Sequence, residues 1–212
     1  SVRLGLRMAD VSAIVFTHSH DDHLAEAELQ YLSWMFVPEP RKEPLLIAGS
    51  ATVIDKIRAG VNLERVNLEL IELEAWQTRA VGDWNVTPII ANHDPTKICF
   101  NLIIERDGSS LLYATDTGWY GEETWKFLEG VRLAGVVVEA SRAAHETYPG
   151  HLSLDDVIRF KDRLVSQETI IAGAPVVTTH HSHRSGLLHA QIEPLVEPSG
   201  IAVGYDGMEF TI

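Results

Sequence analysis

Short apolar runs alternate with polar and amphipathic segments along the chain, which is typical of an α/β protein. Residues 12–17 (SAIVFT) are β-branched and apolar, and they predict a buried strand that ends at the polar cluster HSHDDH. The next segment, LAEAELQYLSWMF, combines good helix formers with apolar residues at helical spacing, so it predicts an amphipathic helix. The strand LLIAG then precedes a helix that Ser50 would cap and that ends at Gly60.

The middle of the chain predicts a meander of strands. The segment VNLELIEL alternates apolar and polar residues, as a half-buried strand does. Three further strands are predicted at NVTPIIANH, CFNLIIE and SLLYAT. Asp107-Gly108 lies between the last two strands and is a strong signal for a tight hairpin.

The last third of the chain predicts helices that alternate with strands. A short helix over 122–129 precedes the strand AGVVVEA, and Ser153 with Asp156 fits a capping box that opens the next helix. The strand APVVTTH and a helix over 187–195 follow. The segments GIAVGY and MEFTI predict a closing hairpin across Asp206-Gly207.

Composition limits the organisation and the class of partner. The 212 residues are 45% hydrophobic and 22% charged, as in a folded protein, and they contain no repeat or low-complexity tract. One α/β domain over residues 1–212 is the simplest organisation. Seventeen basic against 30 acidic residues give a net charge of −13, without a run of Lys or Arg. An acidic surface repels phosphate backbones, so long nucleic acids are disfavoured as partners.

Cysteine content and hydropathy address the cellular location. Cys99 is the single cysteine, which excludes an intrachain disulfide and a Cys-rich zinc site and favours a reducing compartment. No apolar run approaches the roughly 18 residues of a membrane helix, and the first residues do not resemble a signal peptide. We expect a cytoplasmic protein that acts on a small molecule and has no membrane partner. The sequence leaves homo-oligomer formation open.

The densest chemistry is the motif His18-Ser-His20-Asp-Asp22-His23, directly after the first strand. Side chains two apart in an extended chain point the same way, so His18 and His20 can chelate one ion. Asp22 and His23 lie where a helix begins and can turn toward a second ion beside the first. The alternative is a solvated polar loop, but four ligand-type residues within six positions favour a metal site.

Three more candidate ligands each end an apolar run: His93, Asp116 and His180. Sheets of α/β proteins place their chemistry at strand ends. Any one of these residues alone is more often structural or at the surface. Because all three follow predicted strands, they predict the rest of a two-metal site, which one motif cannot complete.

The motif HSHDDH, followed in order by His93, Asp116 and His180, resembles the metallo-β-lactamase superfamily of binuclear hydrolases. The resemblance runs from about residue 12 to the C-terminus and implies an αββα four-layer sandwich with the metals at one edge between two sheets. Family members place a hairpin or more before the first motif, whereas 17 residues precede His18. The N-terminal strands of the family fold are thus expected either to be missing from the chain as given or to be supplied by residues from elsewhere. The resemblance assigns the ligands as His18, His20 and His93 for the first metal, Asp22, His23 and His180 for the second, and Asp116 as the bridge.

The segments LLYATDTGW, GHLSLDDVI and TTHHSHRSG resemble the phosphodiesterase branch, which includes the cyclic-ribose-phosphate phosphodiesterase of phosphonate breakdown. Class B lactamases commonly have cysteine where Asp116 stands, and the basic arm of transfer-RNA processing enzymes has no counterpart here. The resemblance implies a phosphodiesterase for a small, in some members cyclic, phosphate ester, attacked by a hydroxide that the two metals share. A lactonase or thioesterase, and a non-catalytic metal- or nucleotide-binding member, are the alternatives.

Further roles follow for residues around the predicted centre. Asp22 can hold the proton of the hydroxide, and His151 either donates a proton to the leaving group, grips the phosphate or is structural. His145 lies in a predicted loop that could contact substrate, and Trp119 is either an aromatic wall for substrate or part of the core. His183 is expected to be a surface or supporting residue. With nitrogen and oxygen donors and no thiolate, the site favours Zn²⁺ and also suits Mn²⁺ or Fe²⁺.

Overall fold

Two β-sheets form the centre of the fold. The computed structural model describes residues 5, 10–33, 35–37, 39, 41–143 and 149–212. The smaller sheet has three parallel strands in the order β1 (Ala13–Val15), β2 (Leu45–Gly49) and β3 (Leu68–Glu72). The larger sheet has seven strands, which are β4 (Arg79–Val81), β5 (Trp84–Ile90), β6 (Phe100–Arg106), β7 (Ser109–Ala114), β8 (Gly135–Glu139), β9 (Val176–Thr179) and β10 (Ala202–Val203).

Strand direction in the larger sheet decides which loops meet at one edge. Its order is β10-β9-β8-β7-β6-β5-β4; β4 to β7 pair antiparallel, and β7 to β10 pair parallel. Consequently β5, β7, β8 and β9 all run the same way and end at the same edge. The predicted hairpin between β6 and β7 is confirmed: Asp107 (φ 51°) and Gly108 (φ 80°) both take the left-handed conformation that a tight right-twisted turn needs.

In the described part of the chain, four α-helices cover the sheets: α1 (Ala51–Gly60), α2 (Glu122–Leu128), α3 (Leu154–Ser166) and α4 (His189–Val196). The predicted capping box at the start of α3 is confirmed. The Asp156 amide donates to Ser153 Oγ, and the Ser153 amide donates to Asp156 Oδ2, both at 3.2 Å. Since the cap lies two residues after His151, it fixes where the helix begins beside that side chain.

Three apolar cores separate four layers, which confirms the αββα sandwich. Alternation along β2 shows the arrangement, because Leu45 and Ile47 pack toward α1 while Leu46 and Ala48 face the larger sheet. The opposite face of the larger sheet packs on α2 and α3 through a core that includes Trp125 and Phe160. Among the described residues, no helix has both the length and the apolar character needed to cross a membrane.

The helix predicted directly after the polar motif is instead a 3₁₀ helix, Glu26–Leu32. A 3₁₀ helix places residues three apart on one face, and Leu29 and Leu32 use that spacing to pack on the same core as α1. The prediction was therefore wrong about the type of helix and about its buried face, because Tyr31 and Met35 of the predicted pattern are 51% and 55% exposed. Trp34, which contributed to the predicted pattern, lies outside the described residues.

The predicted closing hairpin is also wrong. Ala202–Val203 pairs in parallel with β9, and residues 208–212 form no strand. The chain turns at Met208 and ends with Ile212 against Gly135 of β8, where an added Cβ would lie 2.5 Å from Ile212 Cγ2. The apolar residues of the C-terminal tail, 208–212, thus pack on the sheet without joining it. Because they alternate with polar residues, as in a strand, the sequence predicted a strand here.

Candidate metal centre

The candidate ligands converge at the edge where the two sheets meet. His18, His20 and His23 follow β1, while His93 follows β5, Asp116 follows β7 and His180 follows β9. The sheets are joined here by a hydrogen bond from the Phe100 amide to the Thr17 carbonyl, 2.9 Å. Strands that end together explain how residues far apart in the chain share one site.

Three imidazoles form the first group. His20 Nδ1 lies 2.9 Å from His18 Nε2 and 3.3 Å from His93 Nε2. An ideal tetrahedral Zn²⁺ site, with Zn–N bonds of about 2.0–2.1 Å, separates its ligand atoms by about 3.3–3.4 Å. The spacing of the three nitrogens therefore fits one cation of this size.

The outer nitrogens of these rings are held so that the inner ones present lone pairs. His93 Nδ1 donates to the Gly150 carbonyl (3.1 Å), and His20 Nε2 donates to Asp94 Oδ2 (2.9 Å). Burial, with a further effect of nearby His23, lowers the pKa of His18 to about 3. His18 is therefore neutral at physiological pH, which is the state that binds metal.

Asp116 lies between the remaining ligands. Its Oδ2 is 2.7 Å from His23 Nε2, and its Oδ1 is 3.4 Å from His180 Nε2 and 4.0 Å from His93 Nε2. Burial acts to raise the pKa of Asp116, but contact with His23 and the charges of His180 and His93 lower that pKa well below its usual range. The side chain is thus an ionised carboxylate with imidazoles on both oxygens, as expected for a bridge between two cations.

A further observation at Asp116 tests whether a cation fits. Oδ2 is buried and makes no hydrogen bond among the described residues, although it lies 2.7 Å from His23 Nε2. A buried carboxylate oxygen without a hydrogen bond is costly, and a cation would remove that cost. Asp22 is less engaged: its side chain is 75% exposed, and its Oδ2 lies 3.7 Å from His23 Nε2.

Backbone strain marks two of the ligands. Asp116 and His180 both have φ 54°, a left-handed conformation that non-glycine residues rarely take. At Asp116 the turn is held by Asn101, which donates to the Thr115 carbonyl (2.7 Å) and accepts from the Tyr120 hydroxyl (2.6 Å). The side chain of His180 is held in turn, since its Nδ1 lies 2.7 Å from Ser141 Oγ.

His151 lies beside the cluster and is held by a residue that the sequence analysis missed. Its Nδ1 donates to both carboxylate oxygens of Glu139 at 3.0 Å and lies 3.7 Å from Asp116 Oδ1. Glu139 is fully buried and also accepts from the amides of Thr117 and Leu152. The hydrogen bond that His151 donates to Glu139 raises the pKa of His151, although burial opposes this shift. The sequence signal that could have identified Glu139 was an acidic residue at the end of the apolar strand AGVVVEA.

Asp94 is the second residue that the sequence analysis missed. Its Oδ2 accepts from His20, while its Oδ1 accepts from the amide and the hydroxyl of Thr96 at 2.8 and 2.7 Å. The bonds from Thr96, followed by the one from His20, lower the pKa of Asp94 below its usual range. A carboxylate behind a ligating histidine orients the ring, so position 94 next to His93 was the available signal.

Replacing Asp94 with alanine is expected to weaken zinc binding by about 10- to 100-fold, because the His20 ring loses the partner that orients it. The measurement is Zn²⁺ affinity in competition with a chromophoric chelator. Asp162→Ala, at an exposed position on α3, is the matched control and is expected to bind as the parent protein does. Equal affinities for the two variants would contradict the role of Asp94.

Of three predicted substrate-contact or supporting residues, the structure describes two. The Trp119 ring packs on Trp125, with centroids 5.1 Å apart, and the Arg159 guanidinium lies 4.9 Å from its centre, so the ring joins the core rather than the histidine cluster. His183 begins a 3₁₀ turn and is exposed. His145 lies outside the described residues.

Comparison with known proteins gives consistent results for sequence and fold. The family model described as the beta-lactamase superfamily domain matches residues 2–174. A structure described as a new diphosphatase from the PhnP family aligns with a TM-score of 0.74 and 21% identity over 100% of this chain and 75% of that chain. The metallo-beta-lactamase fold protein YhfI from Bacillus subtilis aligns with a TM-score of 0.73 and 17% identity, over 94% and 78% of the respective chains. Unliganded yeast PDE1 aligns with a TM-score of 0.70 and 18% identity, over 94% of this chain and 68% of that chain. No curated protein sequence matches significantly.

Proposed function

The chain belongs to the beta-lactamase superfamily, whose members are mostly metal-dependent hydrolases, and from this premise we propose that it is a binuclear phosphodiesterase. The proposed substrate is a small phosphate diester, cyclic esters included. One observation supports the proposal most directly. The candidate histidine nitrogens lie close to one another and to an Asp116 oxygen that makes no hydrogen bond among the described residues, and His151 lies beside them.

The donor set supports two divalent cations. In this proposal His18, His20 and His93 would hold one cation, Asp22, His23 and His180 would hold the other, and Asp116 would contribute to both sites. Nitrogen and oxygen donors without thiolate suit Zn²⁺, which we propose as the resident metal, and they also accept Mn²⁺ or Fe²⁺. When bound, such a pair supplies a more acidic water and neutralises negative charge on phosphoryl oxygens.

The side chains around the centre have separate tasks in the proposed reaction. Asp22 is exposed beside His23 and can accept the proton of the attacking water. Glu139 accepts from His151 Nδ1 and so fixes the orientation of the ring, and in this proposal the imidazole of His151 gives a proton to the leaving alkoxide. Because Glu139 raises the pKa of His151, a larger fraction of this acid is protonated at neutral pH.

The placement of His151 favours ester chemistry with an alkoxide leaving group over thioester chemistry. An alkoxide is a strong base and leaves readily only when protonated, whereas a thiolate with a pKa of about 8.5 leaves without an acid. The names of two structural neighbours, a PhnP-family diphosphatase and yeast PDE1, support phosphorus as the centre attacked. A lactonase uses the same acid, so the substrate test includes a lactone.

The test compares turnover of bis-p-nitrophenyl phosphate, a lactone and a thioester by protein reconstituted with Zn²⁺, Mn²⁺ or Fe²⁺. We expect the phosphodiester to be the preferred substrate and elemental analysis to find about two equivalents of metal. No phosphodiester turnover with any of the three metals would contradict the proposal. Preferred lactone turnover would favour a lactonase, and full metal content without turnover of any ester would favour a non-catalytic member.

A further inference from the structure

One cationic side chain from the helix layer reaches the loop that carries four of the proposed ligands. The Lys56 ammonium lies 3.1 Å from the Ser19 carbonyl, 3.0 Å from the Leu24 carbonyl and 2.5 Å from Asp21 Oδ1. Glu26 Oε2 lies 3.4 Å away. An ammonium has three N–H donors, so two carbonyls and one carboxylate use all of them.

The two carbonyls bracket the ligand motif. Ser19 lies between His18 and His20, and Leu24 directly follows His23. Within the motif, the Leu24 amide donates to the His20 carbonyl at 2.8 Å and closes a turn. Lys56 therefore ties both ends of a turn whose side chains belong to both proposed cation sites.

The lysine itself is firmly placed. It lies on α1, where Val53 and Ile57 are fully buried against the core beneath the smaller sheet. Its side chain is 22% exposed. The carbonyl bonds carry most of its effect, because Asp21 is 96% exposed and an exposed ion pair contributes little. Ser19 and Leu24 are buried, so their carbonyls have little access to replacement water.

We propose that Lys56 is a positioning residue that holds the HSHDDH turn in the geometry needed to bind two cations. The inference rests on the proposed function, since it requires the motif to be a metal site. Without Lys56, the distance between His20 and His23 is no longer fixed. Metal binding then has to order these side chains, and the free energy of that ordering weakens metal affinity.

The experiment compares Lys56→Met and Lys56→Arg with Lys161→Met in the full chain. Lys161 on α3 also donates to a backbone carbonyl, that of Ser199, but far from the motif in the fold, so it controls for loss of a lysine–carbonyl bond. The readouts are Zn²⁺ affinity against a chromophoric chelator, the visible spectrum of the Co²⁺-substituted protein and the urea midpoint of the metal-free protein.

We expect Lys56→Met to weaken Zn²⁺ binding by about 10- to 100-fold and to alter the Co²⁺ spectrum, while Lys161→Met changes only the urea midpoint. Lys56→Arg keeps the positive charge but cannot direct three hydrogen bonds from one nitrogen, so we expect it to lose less Zn²⁺ affinity than Lys56→Met. If Lys56→Met does not fold, the Zn²⁺ affinity of Lys56→Arg tests the inference. If the folded Lys56 variants kept the parental Zn²⁺ affinity and Co²⁺ spectrum, the inference about Lys56 would be overturned and the proposed function would stand. Absence of metal binding by the parent protein would instead overturn the proposed function.

Discussion

Asp116→Ala is expected to lower phosphodiester turnover by on the order of 10³-fold or more and to reduce bound metal, because this carboxylate is placed to contact both cations. Both of its oxygens lie against proposed ligand nitrogens, 2.7 Å from His23 and 3.4 Å from His180. In the proposed centre, its loss would remove the negative charge that offsets two adjacent dications. The measurement is kcat together with metal content after dialysis.

Asp162→Ala is the matched control, since Asp162 is an exposed aspartate on α3. We expect it to retain parental turnover and metal content. Circular dichroism of both variants separates loss of the centre from loss of the fold. A folded Asp116→Ala protein with two equivalents of metal and parental kcat would contradict the assignment of Asp116 as the bridge.

Glu139→Gln is expected to lower kcat by on the order of 10²-fold and to move the alkaline limb of the pH–rate profile to lower pH. The carboxylate of Glu139 raises the pKa of His151, so its neutral replacement lowers that pKa. A general acid works only when protonated, and activity falls as pH rises through its pKa. The limb that reports His151 therefore shifts in the acidic direction.

The same substitution has a stability effect with a defined sign. A raised native pKa at His151 stabilises the fold fully below its unfolded pKa of about 6.5, and this stabilisation is lost as pH rises through the native pKa. The amide of glutamine also cannot accept every bond that buried Glu139 accepts, which costs about 1–3 kcal/mol. Urea unfolding at pH 5.5 and pH 8.5 measures both effects.

Glu105→Gln is the control for this pair of measurements, because Glu105 is exposed near the end of β6 and its carboxylate accepts one long hydrogen bond among the described residues, from Ser110 Oγ at 3.5 Å. We expect its pH–rate profile to match that of the parent protein. An unchanged alkaline limb in Glu139→Gln would show that His151 is not the acid of the reaction.

The convergence of the candidate ligands was predictable because each follows a short apolar strand, and strands that run the same way end at the same sheet edge. His93, Asp116 and His180 illustrate this, since each lies within three residues of a strand end. The hairpin at Asp107-Gly108 and the capping box at Ser153 were predictable for a different reason: both depend on backbone chemistry within four residues.

The residues that orient the site were harder to predict, because their partners are distant in sequence. The groups that donate to Glu139 include His151 and Thr117, which are 12 and 22 residues away, and Asp94 accepts from His20 across 74 positions. A single acidic residue at a strand end carries no sign of such a partner. The 3₁₀ helix and the C-terminal tail failed as predictions because tertiary packing, rather than local periodicity, decides their conformation.

The candidate ligands come from stretches of the chain between residues 18 and 180, and they meet where the two sheets are joined at Thr17 and Phe100. Closing loops of this length is slow and late relative to local contacts. A cation would then bind the native state and have little affinity for earlier, partly folded species. Cellular metal supply would in this way set the balance between native and unfolded chains as well as the rate of turnover.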